Sequence, residues 1–393
     1  MAKEIIRKSY IERLEEFKDR PDLVKIVTGV RRSGKSTLLA QFRQRLENKG
    51  ENVVSIDLEE KRFSVTTKRE LNSYVTELMT TPKDYILLDE VQYIAGWEDV
   101  VNTLRSNGAN VYVTGSNAKV LSSEFSTIIA GRYAEIHVLP FSFSEFLERY
   151  PPKGDTRVEQ RFDQYLVQGG MPIIDLDDFP RKNRTIMEGV YDSIVNRDVV
   201  SRSRMDPSTV RRMTDFMYSN VGNITTLESL ASGSGIGDNR TVDRYLDALT
   251  DSFVFYKVNT FDLIGKKMMK VKAKYYASDT GLRNTALGHI DDNASGLLEN
   301  IVFLELVRRG YDVVVGSYRD YEVDFTARSF GKTEYYQVAK TLADDSTIER
   351  KERPLRLLGD AGIKTVLTLD RDLPESRDGI RYLNIIDFLS EER

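Results

Sequence analysis

Residues 23 to 39, LVKIVTGVRRSGKSTLL, place a lysine and two hydroxyls directly after a glycine-bounded basic loop. Gly29 and Gly34 bracket Val30, Arg31, Arg32 and Ser33, whose backbone N–H groups can wrap a chain of phosphates. Lys35 can reach the β and γ phosphates with a mobile point charge, Ser36 would hold Mg²⁺, and Thr37 closes the nucleotide-binding run. A helix opening near Lys35 adds the positive end of its dipole, so loop, lysine and helix terminus favour an anion at one point.

A second stretch carries the complementary acids. In DYILLDEVQ the apolar residues Tyr85 to Leu88 run straight into Asp89 and Glu90, as a buried parallel strand does when it ends at a site. Asp89 there can order a Mg²⁺-bound water, and Glu90 can orient and polarise the water that attacks a γ phosphate. NVYVTGSN, residues 110 to 117, is another apolar strand, expected to end beside the strand that leads into the loop. Ser116 or Asn117 could then hydrogen-bond the γ phosphate or the attacking water.

These groups need a frame, and the sequence offers one. An apolar strand precedes the loop, and an amphipathic helix follows with Leu38, Leu39, Phe42 and Leu46 at helical spacing. ENVVSIDLEE predicts a second strand ending at Asp57 to Glu60, and residues 63–81 a polar helix with Leu71, Val75 and Leu78 on one face. The class is α/β with a parallel sheet. A chain of 393 residues with 40% hydrophobic content is long enough for two or three domains, each with its own core.

Composition narrows the chemistry. The absence of cysteine excludes a disulfide framework, thiolate zinc sites and cysteine nucleophiles, and points to a cytoplasmic protein. Of the two histidines, His137 lies in the alternation AEIHVLP as a strand residue and His289 follows a glycine in a loop, so neither anchors a metal site or a triad. The first residues lack an apolar signal core, and no window is apolar enough to span a membrane. A net charge of −4 argues against a protein coated in nucleic acid and leaves room for a local basic patch.

The combination GVRRSGKST, YILLDEVQ, VTGSN, AGRY and LPFSFSEFLE resembles the prokaryotic P-loop ATPases of the AAA+ superfamily that carry a C-terminal domain of uncharacterised role. The resemblance implies ATP and Mg²⁺ as ligands, with residues 1–145 as the AAA+ core and 146–210 as a helical lid and linker. It makes Lys35 and Ser36 binders of nucleotide and Mg²⁺, Asp89 and Glu90 the Walker B pair, and Asn117 a sensor. It also makes Arg132 an arginine finger, which reaches a neighbouring subunit's nucleotide in a homo-oligomeric ring or partial ring. In the lid, Arg197, Arg202 and Arg204 all remain open as nucleotide sensors.

Residues 211–276 look like a winged helix: three helices followed by two strands. Between Lys257 and Lys274 six lysines (257, 266, 267, 270, 272, 274) face one acid, Asp262. With Arg240 and Arg244 on the third helix, Lys266, Lys267, Lys270 and Lys272 make DNA the expected partner. Residues 277–393 resemble the PD-(D/E)xK nuclease core, with Glu299, Asp324 and Gln337 at its metal-binding positions and Glu322 on the strand face of Asp324. Ala339 stands where that pattern needs a lysine, and Lys340 points to the opposite face, so a degenerate, non-cutting fold is expected. The functional expectation is Mg²⁺-dependent ATP hydrolysis coupled to DNA binding or remodelling. The rivals are a nucleotide-gated switch acting on a protein partner and a nuclease licensed by ATP.

Overall fold

In the strand Val24–Thr28 successive side chains serve two different cores, because neighbouring residues of a strand face opposite sides of the sheet. Val24 and Ile26 enter one core and Val27 the other. The computed structural model describes residues 4–60, 63–121, 123–176, 180–201, 205–288, 294–359 and 361–391. It divides into two compact units, one holding Lys3–Pro140 with Asp251–Phe253, the other Phe141–Thr250 with Val254–Arg393.

The first unit runs α1 (Lys8–Glu16), β1 (Val24–Thr28), α2 (Lys35–Asn48), β2 (Val53–Asp57), α3 (Lys68–Leu78), β3 (Tyr85–Asp89), α4 (Trp97–Ser106), β4 (Asn110–Gly115), α5 (Ser123–Ile129) and β5 (Tyr133–His137). Its five strands are parallel in the order β2-β3-β4-β1-β5. The strand ending in VTG lies, as expected, beside the strand that leads into the loop, and on its other side it pairs with the strand that ends in Asp89. Helices α1 and α2 cover one face with Tyr10, Leu14, Leu38 and Phe42, and α3 and α4 cover the other with Leu71, Val75, Trp97 and Val101. The helix expected over 63–81 is shorter, because Thr67 stops it: its hydroxyl accepts from Glu70 N at 3.3 Å while Glu70 accepts from Thr67 N at 3.0 Å.

The second unit begins with α6 (Phe143–Arg149), α7 (Val158–Gln168) and α8 (Pro180–Ser193), the last running into π-helical turns over Ile194–Val200. There follow α9 (Pro207–Ser219), β6 (Ile224–Thr225), α10 (Leu227–Ser234), α11 (Asn239–Asp251), β7 (Phe255–Asp262), β8 (Lys267–Ala277), α12 (Thr280–Leu287) and α13 (Ala294–Arg308). The chain closes with β9 (Asp312–Tyr318), β10 (Tyr321–Ser329), β11 (Lys332–Ala339), α14 (Asp345–Leu357), β12 (Ile363–Thr368), β13 (Ser376–Arg377), β14 (Ile380–Asn384) and α15 (Ile385–Ser390).

Here the structure departs from the expected division. The first break falls at 140/141, and the expected boundaries at 210/211 and 276/277 both lie inside one unit. Among the described residues all nine strands of this unit, including the hairpin expected as the wing, form a single sheet, β13-β14-β12-β11-β10-β9-β7-β8-β6. The seam is a parallel pairing of Thr260, Phe261 and Asp262 with Val315, Gly316 and Ser317. An isolated two-stranded hairpin is marginal and leaves both edges unpaired; β9 supplies the missing neighbour for β7.

Candidate functional site

The loop after β1 is shaped by what a side chain would hit. Gly29 has φ 141°, and a Cβ there would lie 2.2 Å from the carbonyl oxygen of Val138. From the far side Arg7, buried, donates to Ser33 O at 3.1 Å and Leu139 O at 2.9 Å, tying α1 to the loop. Lys35 is buried, and its ammonium donates to Gly29 O at 2.9 Å and Val30 O at 3.1 Å, with Glu90 Oε1 at 3.9 Å. Arg31 reaches Glu59 and Tyr93, each at 3.4 Å, while Arg32, Ser36 and Thr37 are exposed and Gly34 caps α2. Ser33 Oγ is buried and has no hydrogen-bond partner among the described residues. A polyphosphate fits this donor set: an unmatched hydroxyl, an ammonium resting on carbonyls it can leave, and the N-terminal end of a helix.

Asp89 and Glu90 are fixed by a residue the sequence did not single out. Thr114 on β4 accepts from Glu90 N at 2.9 Å and donates to Asp89 Oδ1. Glu90 itself sits in the left-handed region at φ 55°, a conformation that a non-glycine residue keeps only when its surroundings hold it. Burial pushes the Asp89 carboxyl above its usual pKa, and bonds from the Ser36 and Thr114 hydroxyls pull part of the way back. Ser36 and Asp89 together would hold Mg²⁺, whose charge would neutralise phosphate oxygens. Glu90 Oε2 accepts from the Ser116 hydroxyl at 3.2 Å and from the Gln92 amide.

Of the two candidates at the end of β4, Ser116 contacts Glu90, whereas Asn117, buried, donates to Ser252 Oγ at 3.3 Å. Arg132 is exposed just before β5, its carbonyl accepting from Val24 N at 3.0 Å. His137 Nδ1 lies 2.9 Å from Thr28 Oγ1, and that hydroxyl donates to Glu135 Oε1 at 2.6 Å, so the network assigns the proton to Nδ1. Burial, aided by the Lys35 charge, lowers the His137 pKa from 6.5 to about 4. Arg197 lies in the π-helical segment; Arg202, Arg204 and His289 lie outside the described residues.

A second group of ionisable side chains is buried in the nine-stranded unit. Lys351 on α14 donates to Asp324 Oδ2 at 2.6 Å and sits 3.4 Å from Gln337 Oε1. Lys274 on β8 lies 3.1 Å from Glu299 Oε2 and 2.7 Å from Glu322 Oε1. The four predicted positions thus meet, but around two ammonium groups. Position 339 is alanine; the ammonium that does reach Asp324 and Gln337 belongs to Lys351 on the helix, while Lys340 is exposed. Burial alone would lower the Lys274 pKa; Glu299, Asp324 and Glu322 outweigh it and hold it above the ordinary lysine range. Burial, then the Asp324 charge, raises Glu299 to about 7. Among the described residues no three His, Cys, Asp or Glu side chains are grouped to hold a metal ion.

The basic face is smaller than the lysine count implied, since Lys274 is buried in those ion pairs. Lys257, Lys266, Lys267 and Lys272 are exposed, and the Lys270 side chain lies outside the described residues. On α11 the exposed Arg240 and Arg244 alternate with exposed Asp243 and Asp247, so that helix presents mixed charge. Among the described residues no helix is long and apolar enough to cross a membrane.

Loop, strand order and acid pair define a P-loop protein with an AAA domain, and residues 22–147 match the family described as AAA domain. Residues 159–293 match a domain of unknown function, a span that also crosses both expected internal boundaries. An uncharacterised protein of Haemophilus influenzae is 36% identical over 403 residues, covering 99% of this chain and all of that one. The chain belongs to the family of that protein. An uncharacterised protein of Methanocaldococcus jannaschii is 28% identical, covering 90% of this chain and 82% of its own length. A solved structure of AMPPCP-bound DnaA from Aquifex aeolicus is 15% identical over 62% of this chain and 87% of that chain, at a TM-score of 0.32, a likeness too low to carry an argument.

A histidine with a depressed pKa binds its proton more readily when unfolded, so its contribution is intact above pH 6.5 and is lost as pH falls towards 4. Trp97, the single tryptophan, reports on the AAA unit alone. Denaturation followed by its fluorescence should show a loss on acidification that is about 3 kcal/mol smaller in His137→Gln than in wild type; equal losses would contradict the assignment. In the other unit, Lys351→Met should cost about 3 to 5 kcal/mol in unfolding followed by circular dichroism, and adding Asp324→Asn should recover most of it. A single-variant cost under about 1 kcal/mol would show that the ammonium is not holding Asp324.

Proposed function

We propose that this protein binds ATP with Mg²⁺ at the Gly29–Thr37 loop and hydrolyses it, as an oligomer whose turnover is coupled to DNA bound by the nine-stranded unit. The observation that carries the hydrolysis reading is the arrangement around Thr114, which holds Asp89 beside Ser36 and Glu90 within 3.9 Å of Lys35. Phosphoryl transfer needs little covalent help from a protein; it needs cations on the phosphate oxygens and a base on the water. Lys35, the loop N–H groups and Ser36 with Asp89 supply the first, and Glu90 the second. Arg132, exposed and outside its own loop, is the group that would complete a neighbour's site.

The DNA reading rests on charge and exposure at the β7–β8 hairpin. Lys266 and Lys267 are exposed at its tip with Ile264 at 54% and Met268 at 49% exposure, a basic and apolar end suited to a phosphate backbone. The buried cluster around Lys274 and Lys351 has its carboxylates neutralised, which favours a fold kept for binding over one that cuts.

Lys35→Ala should lose ATP binding, whereas Glu90→Gln should still bind ATP and turn over at least about 100-fold more slowly. Glu90→Gln and Arg132→Ala subunits, each slow alone, should regain turnover when mixed, since a mixed interface unites an intact Glu90 with an intact Arg132. Strictly additive turnover in the mixture would rule out a finger acting between subunits. For DNA, Lys266→Glu with Lys267→Glu should abolish salt-sensitive binding to an oligonucleotide and leave DNA-free ATP turnover unchanged. Binding that survives the pair of substitutions would place the DNA contact elsewhere.

A further inference from the structure

The residue that draws attention beside Glu90 is Gln92, in the short helical turn Val91–Tyr93. Its amide nitrogen donates to Glu90 Oε2 and lies 3.4 Å from Ser116 Oγ. That orientation is forced, because the amide oxygen could not face a carboxylate oxygen. The other end of the amide is the anomaly. Gln92 Oε1 is buried and has no hydrogen-bond partner among the described residues. Space is kept for it: a Cβ on Gly115 would lie 3.1 Å from Gln92 Oε1 and 2.3 Å from Val120 Cγ2. A buried acceptor left unmatched destabilises the fold, and its retention next to a base points to work done there.

We propose that Gln92 is a positioning residue for ATP hydrolysis, fixing Glu90 through its amide nitrogen and accepting a hydrogen bond from the attacking water at Oε1. This rests on the hydrolysis reading above. An attacking water has two O–H groups and must point a lone pair at phosphorus, so two acceptors fix its orientation where one leaves it free to rotate. Glu90 is the first acceptor and Gln92 Oε1 the second. As the water oxygen bonds to the γ phosphorus, the bond from that phosphorus to the β–γ bridging oxygen breaks. Its electron pair leaves on ADP, and the proton given up by the water passes to Glu90. Ser116, donating to the same Glu90 oxygen from the turn after β4, keeps that carboxylate from turning away.

The test compares steady-state ATP turnover of wild type, Gln92→Ala and Gln92→Met, the latter keeping the shape of the side chain without its amide. Trp97 fluorescence checks that each variant is folded, and a fluorescent ATP analogue measures binding. We expect kcat to fall roughly 100-fold in both variants with KM and analogue binding unchanged, the pattern of an interaction made only in the transition state. Turnover at the wild-type rate, or above it, would overturn the proposal, the second result making Gln92 a restraint that slows Glu90. A rise in KM with kcat unchanged would overturn it as well. Wild type that binds ATP and releases no phosphate would overturn the hydrolysis reading and this inference together, whereas active wild type with active variants overturns only this one.

Discussion

The parallel pairing of β3, β4 and β1 is the constraint on which the nucleotide site depends. The three strands end at one edge, so chain segments far apart in sequence deliver the loop, the acid pair and the VTGS turn to the same place. Thr114 turns that adjacency into fixed geometry, since one hydroxyl takes the Glu90 N–H and gives its own hydrogen to Asp89. Its bond to the Glu90 N–H helps to hold that residue at φ 55°, a backbone conformation kept only by its surroundings. Arg7 performs the equivalent service on the loop, pinning Ser33 O from outside the sheet.

The two buried groups of ionisable residues differ in how completely they are satisfied. Around the loop, Ser33 Oγ and Gln92 Oε1 are buried acceptors without partners among the described residues, and Ser36 and Thr37 are exposed. Such a site has donors and acceptors to spare for a ligand. In the nine-stranded unit, Lys351 and Lys274 lie against Asp324, Glu299 and Glu322, with Tyr276 giving a further bond to Glu299 at 3.3 Å. Buried charges matched in this way specify an arrangement, and removing one partner is costly because the other is left alone in a poorly polarisable medium.

What could be read from the sequence was what is local. The loop, Asp89 and Glu90 are contiguous signals, and strand β3 announces its end by running from leucine into acids. Thr114 and Gln92 lie within stretches that were read, yet their roles depend on which atoms face each other across β3 and β4, and spacing does not encode that. Lys351 left a trace: it falls on the same stripe of α14 as Ile348 and Leu355, a charge on an otherwise apolar face. Lys274 misled, because a lysine count assumes exposure. The domain division was hidden for a simpler reason. The pairing of Thr260 with Val315 joins segments more than fifty residues apart, and no local pattern reports it.

Phosphate release from γ-labelled ATP by the purified wild-type chain, with Mg²⁺ present and with Mg²⁺ removed by a chelator, decides whether the site at the ends of β3, β4 and β1 hydrolyses ATP. Release should be sustained, stop when Mg²⁺ is removed and return when it is restored. ATP that binds in the presence of Mg²⁺ while no phosphate appears, across protein concentrations that permit assembly, would contradict it.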